Sequence, residues 1–300
     1  MSTTLGMSGI SQNTRRLLHW IGSGLAVVGI GFVVLKLAQY RDQIDLGKLA
    51  GPDWLTLLLL VMVCGLSGVL LALAWRALLR HVGVTISFPT AVRIYGISQI
   101  AKYVPSNVVH LLGRQALASA EELPNWPVAK STLWELGCLP YAALLCAPLA
   151  LPLLDGAVAP WTAVLLFAAV LLLGIGAAYR WIGAAVGRAV TCQLVYLIVA
   201  GAQFLVVLML LVPGAALAPI APAVCGAYVL AWVAGFLTPG APAGVGVREF
   251  VLYLLLSHMV SQPDLLAAVV LARMVSVCGD VLFYLGAVSA RPRVNVDALS

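Results

Sequence analysis

Long apolar runs separated by short polar breaks cover most of the chain. An α-helix needs about 20 apolar residues to cross a hydrocarbon core roughly 30 Å thick. Runs of that kind predict spans at Leu18–Leu37, Trp54–Leu73, Ser131–Leu154, Trp161–Ala178, Ala189–Leu211, Ala221–Leu237, Val245–Met259 and Leu265–Val288. The seventh is short, which fits a half-span or a steep crossing. Trp20, Trp54, Trp161 and Trp181 stand near span ends, where interfacial aromatics gather. Leu18–Leu37 is longer than a signal h-region and no small-residue cleavage site follows it, so it is taken as the first helix. The expected fold is all-α: a polytopic membrane helix bundle of about eight transmembrane helices plus re-entrant or broken helical elements. A single domain, 18–289, lies between tails 1–17 and 290–300.

Residues 87–122 break the pattern. Ser87 can cap a helix with Pro89 in its first turn. Ile and Val then mix with Arg93, Ser98, Gln99 and Lys102, and the run is interrupted at Pro105. The segment is too polar to face lipid and too apolar for an open loop. A broken or re-entrant element fits, because irregular backbone at membrane depth survives only inside protein or beside a wet cavity. An amphipathic helix on the membrane surface is the alternative.

Composition agrees with the pattern: 62% of residues are hydrophobic and 9% charged, too few charges to cover a water-facing surface. The net charge of +6 arises from basic residues at span ends, such as Arg15, Arg16, Arg76, Arg80, Arg180, Arg188, Arg291 and Arg293. That distribution follows the positive-inside rule and excludes a nucleic-acid surface. Eight crossings put those residues inside with both termini and leave Lys36, Arg41 and Lys48 outside. On that count, an uncrossed seventh segment would strand Arg291 and Arg293 outside. Cys64, Cys138, Cys146, Cys192, Cys225 and Cys278 lie in apolar runs without Cys-x-x-Cys spacing or neighbouring His, so they are core residues rather than metal or redox groups.

Two segments combine helix breakers with charge. One holds Lys102, Pro105, Asn107, His110, Gly113 and Arg114; the other holds Pro239, Gly240, Pro242, Gly244, Gly246, Arg248 and Glu249. In each a Pro precedes an Arg by nine residues, and the two lie in opposite halves of the chain. Interrupted hydrophobic segments at matching positions mark transporter binding sites. Glycine admits close backbone approach, a helix starting after a break offers free N–H groups, and Arg forks onto phosphate. These thirteen residues are the candidate site for an anionic headgroup. Interfacial anchoring by the two Args, with ordinary Gly/Pro turns, is the plainer alternative. Arg273 and Asp280, two helical turns apart on one face, and Glu135 are intramembrane charges of structural type. Glu249 or Glu135 is the expected partner of Arg273. No Ser-His-Asp arrangement, P-loop or nucleotide fingerprint is present.

At these segments the chain resembles the lysylphosphatidylglycerol synthase transmembrane family, a flippase-like family of multi-helix membrane proteins. Its signature Pro-x-x-Pro-Gly-Gly-x-Gly-x-Arg-Glu is met by Pro239, Pro242, Gly244, Gly246, Arg248 and Glu249, with Ala243 in place of a Gly. A second pattern, Lys-Tyr-Leu-Pro-Gly-Asn-x-x-His-x-x-Gly-Arg, is met by Lys102, Tyr103, Pro105, Asn107, His110, Gly113 and Arg114, with Ser106 replacing Gly. The resemblance implies re-entrant elements meeting at mid-membrane and a role in moving lipids, in a prokaryotic cytoplasmic (cell inner) membrane. Aminoacylation in such families belongs to a soluble C-terminal domain, and only 290–300 follow the last span here.

The expected function is therefore a flippase-like, ATP-independent transporter of an anionic phospholipid or a polyprenyl-phosphate-linked sugar, not an enzyme. No cofactor or metal is expected. Its partners would be the membrane lipid or lipid-linked substrate, with envelope-biosynthesis enzymes as a further candidate class and no nucleic acid. A membrane-embedded polyprenyl-phosphate transferase is one alternative, though such chemistry calls for paired carboxylates and Glu121–Glu122 is the one adjacent pair. A non-catalytic partner in envelope biosynthesis is the other.

Overall fold

The computed structural model describes residues 50–103, 109–154, 156, 158–212, 217–238 and 246–290. The expected first span Leu18–Leu37, both tails, and Pro105, Asn107, Pro239, Gly240, Pro242 and Gly244 lie outside the described residues. Within them the chain is all-α, a polytopic membrane helix bundle. Six helical segments are long and apolar enough to cross a membrane: Gly51–His81, Asn125–Leu154, Pro160–Ile182, Ala184–Leu211, Ala218–Leu237 and Gln262–Ser289. Each contains one of the expected runs and extends it at one or both ends.

The helices are α1 (Gly51–His81), α2 (Phe88–Gln99, continued by a 3₁₀ turn Ile100–Tyr103), α3 (Val109–Ala120), α4 (Asn125–Leu144), α5 (Pro160–Ala177), α6 (Ala184–Leu211), α7 (Ala221–Leu237), α8 (Val247–Leu256) and α9 (Gln262–Ser289). Pro160 opens α5 and Pro263 lies in the first turn of α9, where the missing N–H costs nothing. Pro140 sits inside α4, and the span ends in a 3₁₀ turn, Ala147–Ala150, and one helical turn, Leu151–Leu154.

Small residues let α1 and α9 lie side by side. Gly65 faces the Gly279 carbonyl, Gly68 faces the Phe283 ring, and Cys64 Sγ lies 3.9 Å from the Ser276 carbonyl oxygen. The rising order of these pairs makes the two helices parallel, so Gly51 and Gln262 mark one end of the bundle and His81 and Ser289 the other. Small residues at helix interfaces let apolar helices pack closely in lipid, where no hydrophobic force drives them together.

Two elements enter this frame without crossing it. After α1, the chain turns at the His81 end into α2, where Ser87 accepts the Thr90 N–H (3.3 Å) and Pro89 sits in the first turn. α2 buries Ala91, Ile94, Tyr95 and Ser98 against the bundle. Its Gly96 packs on Ala287 near the end of α9, and Lys102 and Tyr103 reach Asp280 further in. α3 returns to the His81 end, with Arg93 on α2 paired to Glu121 after α3 (3.4 Å), and α4 starts there beside Trp75 and His81. This is a re-entrant hairpin.

The second enters from the opposite end. Gly226, early in α7, packs on Leu149 and Ala150 near the close of the α4 span. α8 is 10 residues long, about 15 Å, half of what a crossing requires. Its Glu249 meets Arg273 near the middle of α9, and Ser257–Ser261 lead straight into the start of α9. The expected span Val245–Met259 is therefore not a crossing: α7 and α8 go in and come back. The expected shift of the C-terminus to the other side does not follow either, because α7 and α8 pair and α9 still ends beside His81.

Three ion pairs tie the hairpins down. Arg114 on α3 pairs with Glu135 on α4, Lys102 with Asp280 (2.7 Å), and Arg273 with Glu249 (2.7 Å). The first is nearly sealed from solvent, with Arg114 1% exposed. Glu135 also accepts from Tyr95 Oη (2.6 Å), and the guanidinium sits 4.0 Å from the Tyr95 ring centroid.

Breaking that pair on one side strands a buried charge. Glu135→Gln or Arg114→Met alone should destabilise the detergent-solubilised protein by about 3–5 kcal/mol, and the double variant should recover most of that. Thermal unfolding of the three variants checks it; a double variant as unstable as the worse single one contradicts it. Gly279→Val should also lower stability, by about 1–3 kcal/mol, because a Cβ there would stand 2.5 Å from Cys64 Cβ and 3.1 Å from the Gly65 nitrogen.

Candidate functional site

Described residues of both hairpins line a cavity of about 530 Å³ in the bundle. The first hairpin lines it with Tyr95, Gln99, Lys102, Tyr103, His110, Leu111 and Arg114, the second with Gly235, Phe236, Leu237 and Arg248. Spanning helices supply the rest of the wall, including Cys64 and Ser67 of α1, Glu135 of α4, Tyr196 and Gln203 of α6, and Arg273, Ser276 and Asp280 of α9. Leu136 and Leu237 belong both to this wall and to the exposed outer surface, at 37% and 59% exposure.

Charge distribution inside is uneven. Lys102, Arg114 and Arg273 each hold a carboxylate. Arg248 holds none among the described residues: its buried Nε has no hydrogen-bond partner, and its guanidinium lies 5.8 Å from the Tyr228 ring centroid. His110 Nδ1 is likewise buried without a partner. Among the described residues Arg248 thus has no carboxylate within ion-pair reach, and both residues stand in the cavity wall. Burying such groups without hydrogen bonds is costly.

Of the thirteen candidate residues, Lys102, His110, Arg114 and Arg248 come together in the cavity wall. Arg114 departs from the expected phosphate clamp. Its guanidinium is occupied by Glu135, donates through Nε to Ser98 Oγ at 3.4 Å, and lies over Tyr95, so no free fork faces the cavity. Glu249 is likewise committed: Oε2 accepts the Gly246 N–H (2.7 Å), closing the first turn of α8, while Oε1 holds Arg273. Part of the helix N-terminus expected to receive an anion is thus capped by the protein's own carboxylate. Gly246 adopts φ 86°, a left-handed conformation open to glycine, which turns the chain into α8. Gly113 is buried in α3 away from the cavity wall.

Glu135, Arg273 and Asp280, expected as structural charges, all line the cavity as well. Arg273 takes Glu249 of its two expected partners, leaving Glu135 to Arg114. Sequence reasoning missed Tyr95, Gln99, Tyr196, Gln203 and Tyr228. Gln203 stands in the middle of an apolar span and donates to the Leu60 carbonyl (2.7 Å), a polar residue whose placement was itself a signal. The tyrosines carried none, since Tyr is common in membrane helices. Among the described residues, no group of three His, Cys, Asp or Glu is arranged to hold a metal ion.

Residues 10–83 are similar to a family described as Domain of unknown function (DUF202). The similarity ends just beyond α1 and includes neither hairpin. No curated protein matches the chain.

Proposed function

We propose that the protein is a flippase-like transporter for an anionic lipid, an anionic phospholipid or a polyprenyl-phosphate-linked sugar, with the headgroup held between the hairpin tips. The observation that carries this is Arg248, a cation with no carboxylate partner among the described residues, in the wall of a cavity that both hairpins line. A charge at the bilayer centre costs about 2.5–3.5 kcal/mol even on the gentlest insertion scale, so an uncompensated one calls for a functional reason. Hairpins entering from opposite ends fit alternating access, in which a site at the midplane is exposed first to one side and then to the other. The motif resemblance to the lysylphosphatidylglycerol synthase transmembrane family supports the same assignment. Basic residues at the His81 end, Arg76, Arg80, Arg180 and Arg188, favour the cytoplasmic side for that end, in a prokaryotic cytoplasmic membrane.

A membrane-embedded transferase is less well supported. Its chemistry would use carboxylates free to bind a metal or take a proton, and Glu135, Glu249 and Asp280 are each committed to a cation.

Arg248→Ala should abolish headgroup transport in reconstituted vesicles while expression and folding stay near normal. Arg248→Lys should retain part of the activity, because it keeps the charge and loses the planar fork. Arg114→Ala should also impair transport, here by leaving Glu135 unpaired and loosening the first hairpin. Lipid translocation assays on each variant, beside thermal unfolding, separate these effects. Full transport by a well-folded Arg248→Ala protein would reject the headgroup role.

A further inference from the structure

A second cavity, of about 630 Å³, opens on the outer face of the bundle between α4, the end of α5 and the start of α6. α4 and α5 touch where the Tyr141 hydroxyl donates to the Gly174 carbonyl (2.9 Å) and Leu145 packs on Gly174. Towards the His81 end α5 finishes in a π-turn, Ala178–Ile182, and Gly183, at φ 124°, turns the chain into α6. Leu133, Trp134 and Gly137 of α4 and Val186 and Val190 of α6 line the groove left between them. Gly137 keeps its floor open, since a Cβ there would meet nothing within 4 Å. α4 divides this groove from the cavity between the hairpins, whose wall takes Glu135, Leu136 and Leu139 of the same helix.

We propose that this groove binds one anionic phospholipid of the leaflet at the His81 end, with an acyl chain in the groove and the phosphate at Lys130. Among the described residues the lining is apolar apart from Lys130 and the Tyr141 hydroxyl at the two ends of the α4 stretch. Lys130 marks the mouth: one turn further in, Trp134 meets His81 edge-on with ring centroids 4.8 Å apart. The Lys130 ammonium lies 5.4 Å from the Trp126 ring centroid. On the other rim stands Trp181, 83% exposed, with Arg180 exposed on the same turn. Exposed tryptophans mark the level of the headgroups. Basic sites between helices at that level attract anionic heads over zwitterionic ones.

Length selects a lipid over a helix. From Lys130 to Tyr141 α4 advances about 16 Å, one leaflet's share of a hydrocarbon core ~30 Å thick. A crossing helix, from a second copy or from this chain's own Leu18–Leu37, needs the whole thickness and a trough for a cylinder about 10 Å across. An acyl chain needs only the depth of its own leaflet. The site stands apart from the transporter assignment, because it uses no residue of either hairpin.

The test is phospholipid binding to the purified full chain in neutral detergent, measured by native mass spectrometry. The probes are phosphatidylglycerol and phosphatidylcholine with the same acyl chains. Arg248→Gln serves as the background, so that binding between the hairpins is counted separately. In that background one phosphatidylglycerol should still bind about tenfold or more tighter than phosphatidylcholine. The further pair Lys130→Gln and Arg180→Gln should abolish that preference. Gly137→Leu, which fills the groove from an open helix position, should weaken both lipids about tenfold while thermal stability holds or rises. Loss of the preference with Arg248→Gln alone places the lipid in the other cavity and overturns the proposal. Unchanged binding by the folded Gly137→Leu protein, or by the doubly neutralised rim, overturns it as well. A benzophenone side chain at Leu133 should cross-link to lipid; cross-linking to residues 18–37 or to a second copy instead names another occupant and rejects the site.

Discussion

Everything in this structure depends on how two interrupted segments are held at membrane depth. Broken backbone there loses helical hydrogen bonds, and the charged residues beside the breaks lose water. Both deficits are met by enclosing the segments in spanning helices and tying each to a fixed partner. α9 carries two of the ties, Arg273 to the second hairpin and Asp280 to the first, seven residues apart across its midpoint. It is therefore a common strut for elements that enter from opposite ends. α1 packs along it through Gly65, Gly68 and Gly279, so the strut is itself rigidly seated.

Ties of this kind divide the charges into two populations. Paired groups position backbone, and their energetics balance locally because each cation has a carboxylate within contact distance. Arg114 shows the extreme case, saturated by Glu135, Ser98 and an aromatic face. Arg248 belongs to the other population. It occupies the hairpin position corresponding to Arg114, nine residues after a Pro, yet faces the cavity with a π-face as its described neighbour. The two matching Args thus differ in their contacts: Arg114 is ion-paired, and Arg248 has no carboxylate partner among the described residues.

The hairpins also resolve the topology. Counting the seventh apolar segment as a crossing and counting α7 with α8 as a re-entrant pair leave α9 running in the same direction. The positive-inside pattern is satisfied by both, so charge placement alone had no power to choose between them. Length decides it, since α8 has only 10 helical residues and its Glu249 meets the middle of α9 rather than either end.

The membrane class, the six long apolar helices and the two polar interrupted segments were legible in the sequence because they follow from local properties. Apolar length is set by the bilayer, and Pro, Gly and charge inside an apolar run are conspicuous wherever they occur. His110, Arg114 and Arg248 were singled out on that ground alone. Which charges are spent and which are free was not legible. Glu249 and Glu135 were equal candidates for Arg273, and Arg114 and Arg248 looked alike, because pairing is decided by three-dimensional distance between helices far apart in the chain. The same holds for Tyr95, Gln99, Tyr196 and Tyr228, which became cavity residues only when packing turned them inward. Local sequence determined that this protein must carry polar breaks into the membrane; tertiary structure alone decided that residues flanking both breaks line one cavity, and that Arg248 there has no carboxylate partner among the described residues.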